Sequence, residues 1–137
     1  MVTNLSMGVI EADIRAARRA LESYNISNNK YDKNISAYHI QQAVEKLIKI
    51  QIYSIVGGSS VNRALYTHNI DALILFCESH NLSCIIPKYV RENSARISEW
   101  EVSGRYDLRF SVNVKSLENA LEVTVVWFKQ LCSIGFR

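Results

Sequence analysis

Arg63 and His68 are the two side chains in this sequence whose types and spacing suit one another for chemistry. An imidazole that titrates near neutrality can take up a proton and return it. A guanidinium is a permanent planar cation whose N–H fork matches two oxygens of a phosphate. Side by side they suit proton transfer next to a bound anion. The plain structural reading is an exposed arginine beside a histidine that caps a helix, and spacing alone leaves both readings open. On a regular helix five residues advance about 500°, so the two side chains would point about 140° apart. Convergence therefore requires an irregular turn between them or a second copy of the chain.

The surrounding sequence makes such a turn plausible. The stretch 56–73 reads VGGSSVNRALYTHNIDAL, and Gly57, Gly58, Ser59 and Ser60 form the densest cluster of helix breakers in the chain. A new apolar period starts at Ile70 and Leu73. Thr67 or Asn69 can supply the capping oxygen, which would put His68 in the first turn of a helix.

Helical periods account for most of the remaining chain. Ile10, Ile14, Ala17, Leu21 and Tyr24 predict a first helix from Val9, with residues 1–8 as a lead-in. Asp13 lies on the edge of that stripe, and Arg15, Arg18 and Arg19 lie off it. The turn formers of 25–34 (NISNNKYDKN) predict a loop. A second helix over 35–56 carries Ala37, Ile40, Val44, Leu47, Ile48 and Ile55 on a broad apolar face. Tyr38, Gln42, Glu45 and Lys49 fall within about 60° of one another on its other side. That polar face is either solvated, with Glu45 and Lys49 as an ordinary surface ion pair, or reserved for a partner or ligand. The third helix covers 69–79. A fourth covers 88–102, anchored by Val90, Ile97 and Trp100 and stopped at Gly104. The last, capped by Ser116, buries Leu117, Ala120, Leu121, Thr124, Val125, Phe128, Leu131 and Cys132 and ends at Gly135. The piece to Val114 that precedes it reads as a structured loop. His39 and His80 have no comparable neighbours and read as surface residues. Five helices without paired strands predict an all-α, up-and-down helical bundle, one domain over residues 1–137.

Composition bounds the function classes. A length of 137 residues suits one compact domain. At 48% apolar and 21% charged, the chain is globular rather than disordered. A net charge of +3 permits an anionic partner without demanding one, since dedicated nucleic-acid binders are usually more basic. Cys77, Cys84 and Cys132 are odd in number and form no Cys-x-x-Cys pair. They suggest buried thiols in a reducing compartment rather than a disulfide framework or a zinc site. No secretory leader is readable and no run approaches the ~18 apolar residues of a membrane span. A cytoplasmic protein without membrane partner is expected. No glycine-rich phosphate loop or metal-ligand cluster is readable, so neither metal nor cofactor is expected.

Several segments together resemble the HEPN family of small helical domains, found with nucleotidyltransferases and in RNA-targeting systems. They are residues 41–49, QQAVEKLIK; residues 68–73, HNIDAL; and Arg105-Tyr106 before the last helix, with Asp13 on the first helix. The set follows the family's order over nearly the whole chain, and QQAVEKLIK is its most specific piece. The resemblance implies a helical bundle that forms a homodimer. Many members are metal-independent endoribonucleases, often toxins, with an arginine, four to six residues, then a histidine. Arg63 and His68 satisfy that spacing and are the expected catalytic residues. Glu45, Lys49, Asp13, Arg105 and Tyr106 are weaker expectations for substrate or nucleotide binding. Active members often carry Asn, Asp or His directly after the arginine, where this chain has Ala64. In a subgroup of toxins the partner nucleotidyltransferase modifies a tyrosine two residues after the histidine, where this chain has Ile70. Other members are inactive nucleotide-binding or interaction modules partnering a small nucleotidyltransferase, the alternative reading here.

The residues fit the chemistry independently of the family. RNA cleavage without metal needs a base for the ribose 2′-hydroxyl, an acid for the leaving 5′-oxygen and a cation for the charged phosphorane. One histidine does not serve as acid and base at the same instant. Two copies facing across a two-fold axis would, and such dimers are the commonest oligomers.

Overall fold

Ser6 opens the first helix. Its Oγ accepts the Val9 N–H at 3.3 Å, satisfying a donor that a helix start leaves open. The computed structural model describes residues 5–57, 66–102 and 112–137, and α1 occupies Met7–Ser27. It begins ahead of the expected Val9 because Met7 is itself buried in the core. Ile10, Ile14, Ala17 and Leu21 line its buried face as the apolar period requires.

Residues 25–34 are not a loop. The turn is confined to two asparagines, and α2 runs over Lys30–Val56. Asn28 takes the left-handed conformation at φ 58, and its N–H bonds the Tyr24 carbonyl at 2.7 Å. Asn29 then caps α2, its side-chain oxygen accepting the Tyr31 N–H at 2.9 Å. Asparagine suits both positions because its short amide tolerates positive φ and competes with backbone acceptors. The Asp32 carboxylate, in the first turn of α2, accepts from Ser23 and Ser27 of α1. A two-residue connection makes α1 and α2 an antiparallel hairpin, the most extensive helix pair among the described residues.

Gly57, at φ 77, ends α2, in a region where side chains are strained and glycine is not. The remaining helices are α3 (Ile70–Ser79), α4 (Lys88–Glu92), α5 (Ser94–Glu99) and α6 (Val114–Ser133). The expected fourth helix is therefore two. Asn93 divides it, its Nδ2 donating to the Tyr89 carbonyl at 2.8 Å while its own backbone leaves the helical region at φ -117, ψ 16. Asn113, not Ser116, caps α6, accepting the Ser116 N–H at 3.2 Å. On α6, Cys132 is exposed, whereas Trp127 is buried.

The fold is all-α: the described residues form six helices and no strand. The glycine–serine cluster beyond Gly57, Gly104 and the extended run ahead of Val112 lie outside them. No described helix is long and apolar enough to cross a membrane.

α2 is the axis of this arrangement. It packs against α1, α3, α5 and α6, and its middle is enclosed around most of its circumference. Ala43, Val44, Leu47, Ile48 and Ile52 are core residues, but Gln41, Glu45, Lys49 and Gln51 are buried too. Buried polar groups need partners inside the protein. Gln51 finds them on the connector between α3 and α4. Its Oε1 accepts the Ile85 N–H at 2.6 Å and its Nε2 donates to the Ile85 carbonyl at 2.9 Å. Trp127 Nε1 donates to the same carbonyl at 2.9 Å, so one residue ties α2, α6 and the connector together.

Candidate functional site

Gln41, Glu45 and Lys49 succeed one another at four-residue spacing and so form one row along α2. The expected polar face thus exists, but at Glu45 and Lys49 it is covered rather than solvated. Their side chains are only 5% and 7% exposed, with Lys49 Nζ 2.7 Å from Glu45 Oε2. The segment leading into α3 lies over the row and brings His68 to it.

The Glu45 carboxylate is the centre of the site. Its Oε1 lies 3.0 Å from His68 Nδ1 and accepts from Gln41 Nε2 at 3.0 Å. Gln41 Nε2 also donates to the His68 carbonyl at 3.0 Å. Gln42 Nε2 donates to Gln41 Oε1 at 2.7 Å, which fixes how the Gln41 amide is turned. One glutamine thus holds His68 by its backbone and steadies the carboxylate that holds its ring. Lys49 and Gln41 can only donate to this carboxylate, and hydrogen bonding from His68 then places a proton on Nδ1. Nε2 is left as an acceptor on the opposite edge of the ring, on a side chain that is 58% exposed. An imidazole anchored through one nitrogen and open at the other can remove a proton from a bound molecule, and the carboxylate behind it stabilises the resulting cation.

The approach segment is fixed from its other end as well. Asn69 caps α3, its Oδ1 accepting the Ala72 N–H at 3.1 Å. His68 therefore stands one residue outside the helix, not in its first turn. The Ile70 N–H donates to Ser98 Oγ on α5 at 2.8 Å, and Ser94 Oγ hydrogen-bonds the Asp71 carboxylate.

Asp13 forms a second cluster on the α1 side of α2. Its carboxylate receives Lys46 Nζ at 2.7 Å and lies 3.0 Å from His39 Nδ1. Among the described hydrogen bonds it joins none of those around His68. His39, expected on the surface, is thus partly buried and within hydrogen-bond distance of Asp13. The signal was present in the sequence: His39 and Lys46 are seven residues apart, about 20° short of two full turns, so they share one side of α2. His80 is exposed. The role of Gln41 was missed for a different reason. Its partner carbonyl belongs to His68, 27 positions along the chain, and no local period reveals that. Arg63, Arg105 and Tyr106 lie outside the described residues. Of the other arginines, Arg15 pairs with Glu11 and Arg91 with Glu78, while Arg18 and Arg19 are exposed.

The HEPN domain family model matches residues 10–126, a span that contains every residue of both clusters. No curated protein and no solved structure matches the chain.

Proposed function

Because the chain belongs to the HEPN domain family, we propose that it is a metal-independent endoribonuclease that works as a homodimer. One observation carries this reading: the exposed His68 ring is held through Nδ1 by the buried Glu45 carboxylate at 3.0 Å. A ring so anchored offers Nε2 to substrate. In the reaction, Nε2 takes the proton of a ribose 2′-hydroxyl, whose oxygen attacks the adjacent phosphorus. The bond to the 5′-oxygen breaks, leaving a 2′,3′-cyclic phosphate and a free 5′-hydroxyl. The partner subunit's His68, arriving protonated, gives its proton to the departing oxygen. Arg63 of each copy clamps the phosphate and balances the charge of the phosphorane. Glu45 orients the imidazole, and Lys49 offsets the carboxylate charge so that the burial of Glu45 is compensated. Arg105 and Tyr106 are assigned to substrate contact, and Asp13 to holding α1 against the site-bearing helix. The cytoplasm is the setting this reading assumes.

RNA cleavage measured with a chelator present tests the proposal. The wild-type chain should yield cyclic-phosphate ends, and cleavage should weaken as salt rises and counterions compete for the phosphates. His68→Ala should lose cleavage while keeping the circular dichroism spectrum and oligomeric state of the parent. Chelator-insensitive cleavage that survives His68→Ala would refute the mechanism. A dimer that cleaves no RNA but binds nucleotides or a small nucleotidyltransferase would instead be the inactive module of this family.

A further inference from the structure

The far end of α3 carries a feature that the proposed reaction does not use. Cys77 Sγ and Cys84 Sγ lie 3.4 Å apart. Cys77 is the last buried residue of α3, and Cys84 sits seven positions later on the connector. Their approach is built by the backbone. Asn81, at φ 53, takes the left-handed conformation. The Asn81 N–H bonds the Glu78 carbonyl at 3.2 Å, and the Leu82 N–H reaches back to the Cys77 carbonyl at 2.8 Å. This pair of bonds is the Schellman closure, which reverses the chain at a helix end. It returns the connector over the residue whose carbonyl it has captured. One residue beyond Cys84, Ile85 is fixed by Gln51 through both its N–H and its carbonyl, and by Trp127. Cys84 is thus held between two anchored points, facing a thiol that the helix holds in place.

We propose that Cys77 and Cys84 are a redox-active dithiol that closes to an intramolecular disulfide by exchange with a low-molecular-weight disulfide. Cys84 is partly exposed whereas Cys77 is buried, so Cys84 is the sulfur that a small molecule reaches first. The order of events follows. The Cys84 thiolate attacks one sulfur of the small disulfide, forming a mixed disulfide and expelling one thiolate. Cys77 gives up its proton and attacks Sγ of Cys84. The mixed disulfide breaks and the second small thiolate leaves. Two protein thiols are oxidised, one small disulfide is reduced to two thiols, and no other reactant enters.

The electrostatics suit these roles. The Cys77 S–H donates to the Cys84 sulfur, which lowers the Cys84 thiol below its ordinary range against the opposing effect of burial, with Arg91 helping. The same hydrogen bond, with burial added, pushes the Cys77 thiol up. Thiolate character is what attack requires, and it falls on the accessible member. Cys132 is exposed, has no thiol partner among the described residues, and provides a built-in contrast.

The test uses the full chain carrying Cys132→Ser, folded, equilibrated with oxidised glutathione and read by intact mass and by mapping of unreduced peptides. The expected result is the joint loss of the Cys77 and Cys84 thiols, one glutathione disulfide consumed per chain, no glutathione retained, and a Cys77–Cys84 linked peptide. With Cys77→Ala added, Cys84 should stop as the glutathione mixed disulfide. Retention of glutathione on Cys84 in the chain that still carries Cys77 would overturn the proposal. So would thiols that pair no faster in the folded chain than in urea. Neither readout involves RNA, so the outcome is independent of the ribonuclease reading.

Discussion

Exchanging Glu45 and Lys49 for methionine, singly and together, separates what this ion pair does for stability from what Glu45 does for His68. The two side chains are 5% and 7% exposed and 2.7 Å apart. Either single change leaves the opposite charge buried without its counter-ion, a defect that costs about 3–5 kcal/mol. A domain of this size has only about 5–15 kcal/mol in hand. With a urea m-value of about 2 kcal/mol/M, each single variant should lower the unfolding midpoint by about 2 M. The double variant removes both charges and fills the row with apolar chains of similar length. Such replacements are neutral or stabilising by about 1–4 kcal/mol, so the double variant should be far more stable than the sum of the singles implies. Activity should behave differently. Glu45→Met/Lys49→Met should fold yet cleave no RNA, because His68 Nδ1 has lost its acceptor. Urea titrations followed by circular dichroism give the coupling energy, and the RNA assay gives the second readout. Single losses below about 1 kcal/mol, as for surface pairs, or additivity within about 0.5 kcal/mol, would refute the view that a desolvated pair seats the imidazole.

Asp13→Asn should destabilise the chain by about 1–3 kcal/mol, since an amide cannot accept from both Lys46 and His39 without turning its own donor toward one of them. Glu11→Gln on the same helix breaks a pair 3.4 Å long with side chains 54% and 53% exposed, and should change stability by no more than about 0.5 kcal/mol. Urea midpoints at constant salt compare the two. Burial raises the Tyr89 phenol above its ordinary 10.0, with Arg96 opposing. The unfolded chain therefore loses this proton first, so stability is intact below pH 10.0 and falls as pH rises toward the folded value. Unfolding midpoints on either side of that pH should decline more in the wild type than in Tyr89→Phe, and equal declines would contradict the assignment.

Sequence periodicity was most informative where one element meets the core through one face. The stripe of α1 is legible from its three- and four-residue spacing, as are Leu117, Ala120, Leu121, Thr124 and Leu131 of α6, because a helix must turn its apolar residues toward the same side; Cys132, which is exposed, and Trp127, which is buried, depart from that reading. Boundaries were less legible where a single side chain decides them. Two asparagines make the α1–α2 turn, and one asparagine divides the expected fourth helix, through hydrogen bonds that composition does not reveal. The thiol contact likewise depends on a reversal at Asn81 that brings back a residue seven positions along the chain.

The site divides in the same way. His68 could be singled out by residue type, and Glu45 and Lys49 by their position along α2, since four-residue spacing makes them neighbours on any helix. The sequence could not decide whether that polar row faces water or protein. A helix can be read for which residues share a side, but what covers that side is set by segments distant in the chain. Only the packing of α2 among four other helices, and the laying of residue 68 across it, turned a surface ion pair into a buried seat for an imidazole.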